Sequence, residues 1–263
     1  MPIHVTATSI IVPTYREAPN LRPLTERLFA ALRAAKIEAE LIIVDDDSQD
    51  GTDEVVKALS EDHPVRLIVR REERGLSGAV LEGFRQARFD RLLVMDADLQ
   101  HPPEMVPALL DRLGQGDCDF VIGTRYRGGG GIVGDWPFLR RLASRIATGL
   151  ARPLTPLSDP MSGFFALHRK TWEESAPLDP IGYKIALELY VKGGCQRPAE
   201  VPILFRTREA GDSKFNVGEQ LRYLRHLAKL YRFRFPRITA SLIALVVLGA
   251  IAVVSAVFAW AVG

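Results

Sequence analysis

The chain has 263 residues, of which 47% are hydrophobic and 25% are charged, and its formal net charge is +2. This composition excludes an intrinsically disordered chain, and this length excludes a mini-protein that depends on disulfides or a metal for its stability. The two cysteines, Cys118 and Cys195, exclude a disulfide framework and a cysteine-rich metal site.

Short apolar segments alternate with helical patterns through the first 124 residues. In chain order the predicted elements are a strand at 9–12, a helix at about 20–35, a strand at 40–44, a helix at about 52–59, a strand at 65–69, a helix at about 77–87, a strand at 91–95, a helix at about 103–113 and a strand at 119–122. This alternation predicts an α/β domain with a mostly parallel sheet and helices on both faces.

Polar residues follow three of these predicted strands. The segment Pro13–Glu17 comes after the first strand, Asp45–Ser48 after the second and Asp96–Gln100 after the fourth. Ligands of parallel α/β sheets bind beyond the carboxyl ends of the strands. The three segments are therefore expected to contribute to one site.

Asp96 and Asp98 are separated by one small residue at the end of a predicted strand. Alternate residues of an extended chain point the same way, and two neighbouring carboxylates repel each other unless a cation neutralises them. A hard divalent ion with oxygen ligands would do so and would also bridge a diphosphate. Gln100 continues the same spacing. The alternative is a pair of solvated loop aspartates, but the apolar segment before them favours the metal site.

Three adjacent acids, Asp45–Asp47, follow the second strand. Part of this polar segment has a structural use, because Ser48 or Asp50 can cap the helix that follows. The remaining acids can accept hydrogen bonds from a base or a ribose, as acids after an early strand do in nucleotide-binding folds.

The near-neutral net charge is the sum of two unlike halves. Residues 1–124 carry 14 basic and 22 acidic side chains, whereas residues 125–263 carry 20 basic and 10 acidic ones. The basic candidates for a phosphate site are Arg125, Arg140, Arg141, Arg145, Arg208 and Lys214. Arginine fixes phosphate through paired donors, which favours a phosphate-bearing lipid, although scattered basic residues are often ordinary surface. Nucleic acid is disfavoured, since no basic module interleaved with aromatic residues is present.

The last 26 residues, 238–263, contain no charged side chain. A bilayer core of roughly 30 Å needs about 20 helical residues, so we expect a C-terminal transmembrane helix, with a buried core helix as the alternative. The segment before it places Arg222, Arg225, Lys229 and Arg232 on one helical face. This pattern predicts a basic amphipathic helix lying on anionic lipid, with a solvated basic face as the alternative.

The positive flank of the predicted span places the preceding domain on the cytoplasmic face of the membrane. The expected organisation is a globular domain at 1–218, an amphipathic interface helix at 219–237 and a transmembrane anchor at 238–263.

Several motifs together resemble a known family. The segments Ile10–Glu17, Val44–Thr52, Arg74–Phe84 and Met95–Glu104 resemble family 2 glycosyltransferases. The segments Gly123–Tyr126, Trp136–Ser144, Asp159–Phe165, Gly182–Ile185 and Phe205–Phe215 are similar to those of dolichyl-phosphate mannose synthases. The resemblance covers residues 8–235 and implies the GT-A fold, a Rossmann-like α/β domain. One residue departs from the pattern, because Arg16 stands where the family has Asn.

The resemblance also implies roles for individual residues. The implied nucleotide-binding residues are Pro13, Tyr15, Glu17, Val44, Asp46, Ser48 and Asp96. The implied ligands of Mg²⁺ or Mn²⁺ are Asp96, Asp98 and Gln100. The implied lipid-phosphate residues are Arg125, Arg140 and Ser144. The implied diphosphate contacts on closure are Arg208 and Lys214, and the implied catalytic residues are Asp98, Arg125 and Arg140.

The implied reaction is transfer of mannose from GDP-mannose to dolichyl or another polyprenyl phosphate, with inversion. A phosphate monoester has a second pKa of about 6, so this acceptor is largely ionised at neutral pH and does not depend on a general base. The enzyme then has to align two anions and stabilise the leaving group. Two alternatives remain. One is a polyprenyl-phosphate glucosyltransferase with a UDP-sugar donor, and the other is a membrane protein that binds a nucleotide sugar without turnover.

Overall fold

A computed structural model describes residues 7–72, 74–133, 138–179, 181–182, 184–206, 217–239 and 241. The strands are β1 (Thr8–Thr14), β2 (Ala39–Asp45), β3 (Val65–Val69), β4 (Arg91–Val94), β5 (Phe120–Thr124), β6 (Gly131–Ile132), β7 (Phe165–His168), β8 (Pro198–Pro202) and β9 (Leu204–Phe205). The α-helices are α1 (Ala18–Ala34), α2 (Thr52–Leu59), α3 (Leu76–Gln86), α4 (Val106–Gly114), α5 (Phe138–Ala151), α6 (Arg169–Glu173), α7 (Ile185–Lys192) and α8 (Val217–Arg234). Short 3₁₀ helices lie at Pro103–Met105 and Arg152–Leu154.

The elements predicted for the first 124 residues are confirmed, with ends that differ by one or two residues. The predicted helix at 103–113 consists of a 3₁₀ turn at Pro103–Met105 that continues into α4. Pro102, Pro103 and Pro107 lie at this junction, and proline at the start of a helix costs no hydrogen bond.

The main sheet has the strand order β3-β2-β1-β4-β7-β5-β8. Strands β1 to β4 pair in parallel, β5 pairs in parallel with β8, and β7 is antiparallel to both β4 and β5. The prediction of a mostly parallel sheet is therefore confirmed. Strand order reverses at β1, which has β2 on one side and β4 on the other, and such a switch point opens a crevice at the carboxyl ends of the strands.

Two apolar layers cover the two faces of the sheet, as predicted. One contains Ile10 and Val12 of β1 with the buried faces of α1, α2 and α4. The other contains Ile11 of β1 with α3, α7 and the apolar face of α8. Alternation along β1 thus sends successive side chains into opposite layers, which is the expected pattern for a strand buried on both faces.

Helix α3 approaches β1 closely at one glycine. A Cβ atom at Gly83 would lie 2.4 Å from Cγ2 of Ile11, so any larger residue would push the helix away from the sheet. This contact sets the position of α3, whose first turn at Leu76 lies at the crevice.

Helix α8 lies against the domain. Its buried residues are Tyr223, His226, Leu227 and Leu230, while the predicted basic face stays exposed. The Tyr223 hydroxyl donates to the carbonyl of Ala147 in α5 at 2.6 Å. Among the described residues, no helix combines the length and the apolar character needed to cross a membrane. The predicted span at 238–263 lies outside the described residues except for positions 238, 239 and 241.

Candidate functional site

The three polar strand ends line one cavity of about 670 Å³ at the crevice. The predicted site residues that line it are Pro13, Tyr15, Glu17, Asp46, Asp96, Asp98, Gln100, Arg125 and Ser144. The three strand-end segments therefore meet at one cavity. These cavity-lining residues lie at the ends of β1, β2, β4 and β5 and in α5.

Of the other predicted residues, Val44 and Ser48 do not line this cavity. The Val44 side chain is fully buried in the apolar layer beside α3. The Ser48 hydroxyl accepts from the backbone N–H of Arg16 and donates to the carboxylate of Asp45. The side chain of Arg140 and all of Arg208 and Lys214 lie outside the described residues.

The three acids after β2 have different partners. Asp45 accepts from the Thr14 hydroxyl at 3.1 Å and from the Ser48 N–H at 2.8 Å, so it closes the loop after β2. Asp46 accepts from Nη1 of Arg70 and from the N–H of Gly75, both at 2.6 Å. Asp46 is thereby fixed with its charge compensated at the cavity wall, whereas Asp45 has the structural role.

The Tyr15 ring forms an aromatic surface on the part of the cavity wall that Asp46 also lines. The guanidinium of Arg16 lies 5.3 Å from its ring centroid and that of Arg74 lies 5.4 Å from it. An aromatic ring flanked by cations and next to a fixed carboxylate is a suitable wall for a planar, hydrogen-bonding base.

Asp96, Asp98 and Gln100 line the centre of the cavity. Asp98 is 4% exposed, and its Oδ1 accepts from the Gln100 N–H at 3.1 Å. The side-chain amide of Gln100 donates to the carbonyl of Arg206 at 3.0 Å, which leaves its oxygen as a ligand atom. These oxygens fit Mg²⁺ or Mn²⁺, which bind through one or two carboxylates plus substrate phosphates. Among the described residues, no group of three or more His, Cys, Asp or Glu side chains is arranged to hold a metal ion.

The backbone is strained in the same loops. Arg16, Asp47, Gln49 and Leu99 have φ between 52° and 60°, and they follow β1, β2 and β4. Left-handed backbone is costly for a residue with a Cβ atom, and such strain concentrates at functional sites. Leu99 lies between Asp98 and Gln100, and both of these residues line the cavity.

His101 lies directly behind the two aspartates. Its ring is 2% exposed, stacks on Phe164 and meets the edge of Phe205. Burial lowers the pKa of His101 to about 4, so the imidazole is neutral at physiological pH. The backbone N–H of Asp96 donates to its Nδ1 at 3.3 Å, which orients the aspartate loop without adding charge.

Arg125 is held at the other end of the cavity by a buried ion pair. Its Nε and Nη2 donate to the two carboxylate oxygens of Asp159 at 2.7 Å each, and its backbone N–H donates to Oδ2 at 3.1 Å. Burial acts to lower the pKa of Arg125, but the hydrogen bonds and charge of Asp159 outweigh it and raise the pKa. The hydroxyls of Tyr126 and Ser144 lie 2.9 Å apart beside it. This wall therefore carries a guanidinium and hydroxyl groups, which are hydrogen-bond donors of the kind that suit an anion.

The family model for glycosyl transferase family 2 matches residues 9–175. A dolichol-phosphate mannosyltransferase of Mycosarcoma maydis is 49% identical over 248 residues, which cover 91% of this chain and 84% of the relative. The enzyme of the same name from Saccharomyces cerevisiae is 50% identical over 236 residues, covering 86% of this chain and 88% of the relative. This chain belongs to the dolichol-phosphate mannosyltransferases of glycosyl transferase family 2.

Solved structures support the fold of this glycosyltransferase. Glucosyl-3-phosphoglycerate synthase from Mycobacterium tuberculosis, in complex with Mn²⁺, UDP and glucosyl-3-phosphoglycerate, matches with a TM-score of 0.63 at 20% identity. The match covers 87% of this chain and 80% of that one. Mannosyl-3-phosphoglycerate synthase from Rubrobacter xylanophilus matches with a TM-score of 0.64 at 19% identity, covering 86% and 74%. These likenesses show the GT-A, Rossmann-like fold that the motifs implied.

Sequence reasoning assigned no role to several residues at the site of this family 2 glycosyltransferase. Asp159 and Lys184 belong to the motifs Asp159–Phe165 and Gly182–Ile185, which carried the resemblance but no function. Arg70, the partner of Asp46, has no sequence signal at all. Their places depend on contacts between residues far apart in the chain, which local patterns do not encode.

Gly163 offers a specific test of the aspartate site in this glycosyltransferase. A Cβ atom there would lie 3.1 Å from both carboxylate oxygens of Asp96. Gly163→Ala is expected to displace that carboxylate and to weaken metal-dependent nucleotide binding by roughly tenfold, since small misplacements at such sites are costly. The measurement is nucleotide affinity with and without Mn²⁺. Gly149→Ala is the matched control, because nothing lies within 4 Å of a Cβ atom at Gly149. Equal metal dependence in both variants would contradict the assignment.

Proposed function

We propose that the protein transfers mannose from GDP-mannose to dolichyl or another polyprenyl phosphate, with inversion, giving polyprenyl-phosphate mannose and GDP. The observation that carries this proposal is the arrangement of one cavity with a carboxylate pair at its centre and a buried, charged arginine beyond it. The named relatives, at 49% and 50% identity over most of the chain, support the sugar and the acceptor.

The nucleotide is proposed to lie along the Tyr15 end of the cavity. The fixed carboxylate of Asp46 would accept from the N–H groups of guanine, and the Tyr15 ring would contact its face. Arg74, held near both Tyr15 and Asp47, would limit the movement of the base. The proposed work of these residues is to bind and orient the donor so that its reacting carbon faces Arg125.

Asp96, Asp98 and Gln100 are proposed to hold Mg²⁺ or Mn²⁺ at the donor diphosphate. When bound, a divalent ion supplies charge stabilisation for the departing nucleoside diphosphate. Asp98 keeps the Gln100 backbone in place, and His101 orients Asp96. A fold neighbour, glucosyl-3-phosphoglycerate synthase, was solved with Mn²⁺ and UDP, which supports a divalent metal cofactor.

Arg125 is proposed to bind the acceptor phosphate, with Ser144 beside it. Because the acceptor is already largely ionised, no residue has to remove a proton from it. The protein instead holds two anionic substrates together, and Asp159 keeps the guanidinium of Arg125 oriented for that purpose. Arg140, Arg208 and Lys214 remain proposed phosphate contacts on the basis of the resemblance.

A transfer assay tests the proposed function. Full-length protein would be given GDP-mannose or UDP-glucose with Mn²⁺ and a dolichyl phosphate, and the lipid product would be measured. The expected result is a mannosyl lipid with GDP-mannose and no glucosyl lipid with UDP-glucose. A glucosyl lipid from UDP-glucose would replace the proposal with the glucosyltransferase alternative, and nucleotide binding without any lipid product would support a binding protein.

We further propose that the protein is membrane-bound with its catalytic domain on the cytoplasmic face. Two neighbouring helices support this. Exposed apolar side chains on α5 and α8 are Leu142, Ile146, Leu150, Leu221 and Leu224. The basic residues of the predicted interface helix are also exposed on α8. An apolar and basic surface of this kind suits an anionic leaflet.

Deletion of residues 238–263 tests the proposed anchor. The shortened protein is expected to be released from membranes by alkaline carbonate, while it keeps its affinity for GDP with Mn²⁺. The full chain should resist the same extraction. A shortened protein that stays in the carbonate-resistant fraction would rule out the span, and one that fails to fold would favour the core-helix alternative.

A further inference from the structure

Lys184 lies on the wall of the cavity, although no role was assigned to it. It belongs to the motif Gly182–Ile185 and is the N-cap residue of α7. Gly182 and Lys184 line the cavity together with Asp96, Asp98 and Arg125. The structure therefore places a further ammonium group at the site where the two substrates are proposed to meet.

Two hydrogen bonds hold this part of the wall. The Lys184 ammonium donates to the carbonyl of Met161 at 3.2 Å, and the Ser77 hydroxyl donates to the carbonyl of Gly182 at 2.7 Å. Met161 precedes Gly163 by two residues, and Gly163 lies against the Asp96 carboxylate. Lys184 is thus fixed to the segment that borders the aspartate pair.

Two anionic substrates favour a cavity wall with cationic groups in addition to Arg125 and the proposed divalent ion. The acceptor phosphate and the donor diphosphate are both anionic at neutral pH and have to approach each other. The charge of Arg125 is already matched by Asp159, which is fully buried and bound to it through both oxygens. Lysine is an effective phosphate ligand as a compact point charge with three donors.

We propose that the Lys184 ammonium binds a phosphoryl oxygen of the substrates and is a further catalytic residue of the transfer. This inference rests on the proposed function, because it needs two phosphate-bearing substrates in the cavity. The phosphoryl oxygen belongs either to the acceptor monoester or to the donor diphosphate, and the two sources are separated by the experiment below.

A buried carboxylate positions the segment that carries Lys184. Glu188 is 1% exposed, and its Oε1 accepts from the Asp179 N–H at 2.9 Å and from the Lys192 ammonium at 2.6 Å. Its Oε2 lies 3.1 Å from Nε2 of His226, which is also 1% exposed on α8. This carboxylate thus joins α7 to α8, and the Glu188 N–H donates to the carbonyl of Lys184 at 3.5 Å, which ties Lys184 to the first turn of α7.

Lys184→Met tests the proposal in the full-length protein, with Lys170→Met as the matched control. Lys170 is 79% exposed in an i,i+4 pair on α6 and does not line the cavity. The measurements are GDP affinity with Mn²⁺ and the KM for dolichyl phosphate at saturating GDP-mannose. Loss of a charged hydrogen bond is expected to change one of them by roughly tenfold to a hundredfold. Lys184→Arg is expected to recover a substantial part of the loss.

The pattern of change identifies the phosphate that is bound. A higher KM for dolichyl phosphate with unchanged GDP affinity assigns Lys184 to the acceptor, and weaker GDP binding assigns it to the donor diphosphate. Both values at the wild-type level in Lys184→Met would overturn the proposal. A wild-type protein that transfers no mannose would instead overturn the proposed function, and the GDP arm would still test Lys184.

Discussion

Replacing Asp98 with Asn is expected to abolish mannose transfer while leaving the fold intact. Asp98 is 4% exposed and lies between Asp96 and Gln100 at the centre of the cavity. The amide has the same shape but removes the negative charge that favours a divalent ion. Stabilisation of the leaving diphosphate by such an ion is worth several kcal/mol, so the rate should fall by about 10³-fold or more.

Nucleotide binding separates this effect from a general loss of structure. The wild type is expected to bind GDP more tightly with Mn²⁺ than without it, whereas Asp98→Asn should lose that difference and keep its metal-free affinity. Asp90→Asn is the matched control, because the Asp90 side chain is 93% exposed. Wild-type turnover in Asp98→Asn would refute the metal assignment.

Local patterns predicted the first half of the fold well. The strands β1 to β5 and the helices between them follow from apolar periodicity, which records whether a segment is buried on one face or on two. The polar residues at the strand ends then indicated where the site lies, because parallel strands bring their carboxyl ends to one edge of the sheet. The antiparallel part of the sheet was expected only through the fold that the motif resemblance implied. Strand β7 pairs with β4 and β5, and hydrophobic periodicity does not show which strands pair.

Site residues were predictable where the chemistry is local. The pair Asp96 and Asp98 is visible in sequence because its two members are neighbours. The pair Arg125 and Asp159 is not, because 34 residues separate its members. His101 likewise gains its role from the rings of Phe164, which precedes β7, and Phe205 of β9, both far from it in the chain. Sequence reasoning therefore found charged residues that line the cavity and missed the groups that hold them in place.

The same contrast applies to α8. Charge spacing predicted an interface helix with a basic face, and Arg222, Arg225, Lys229 and Arg232 are exposed in the structure. The opposite face buries His226 against Glu188 of α7, a contact that the charge pattern did not predict. Helix α8 is thus fixed to the catalytic domain, so any surface that it presents to a membrane has a defined orientation relative to the cavity.

Replacing Asp159 with Ala is expected to lower the free energy of unfolding by about 3–5 kcal/mol, because it leaves the charge of Arg125 buried without its partner. The two side chains are 0% and 9% exposed, and the carboxylate accepts three hydrogen bonds from Arg125. For a chain of this size, a loss of that order corresponds to a fall in Tm on the order of 10 °C. Asp117→Ala is the control, since it breaks an Asp–Arg pair whose carboxylate is 63% exposed, and its effect should be much smaller.

A double variant separates the stabilising role of this ion pair from its proposed role in phosphate binding. Arg125→Met with Asp159→Leu removes both charges, and replacing a buried pair by apolar side chains is often neutral for stability. The double variant is therefore expected to be more stable than Asp159→Ala, yet to remain inactive, since the proposed phosphate ligand is gone. Thermal unfolding in detergent and the transfer assay measure the two effects. If the double variant transferred mannose at the wild-type rate, Arg125 would be a structural residue only. If Asp159→Ala unfolded at the wild-type temperature, the buried pair would not stabilise the contact between β5 and the segment at Asp159.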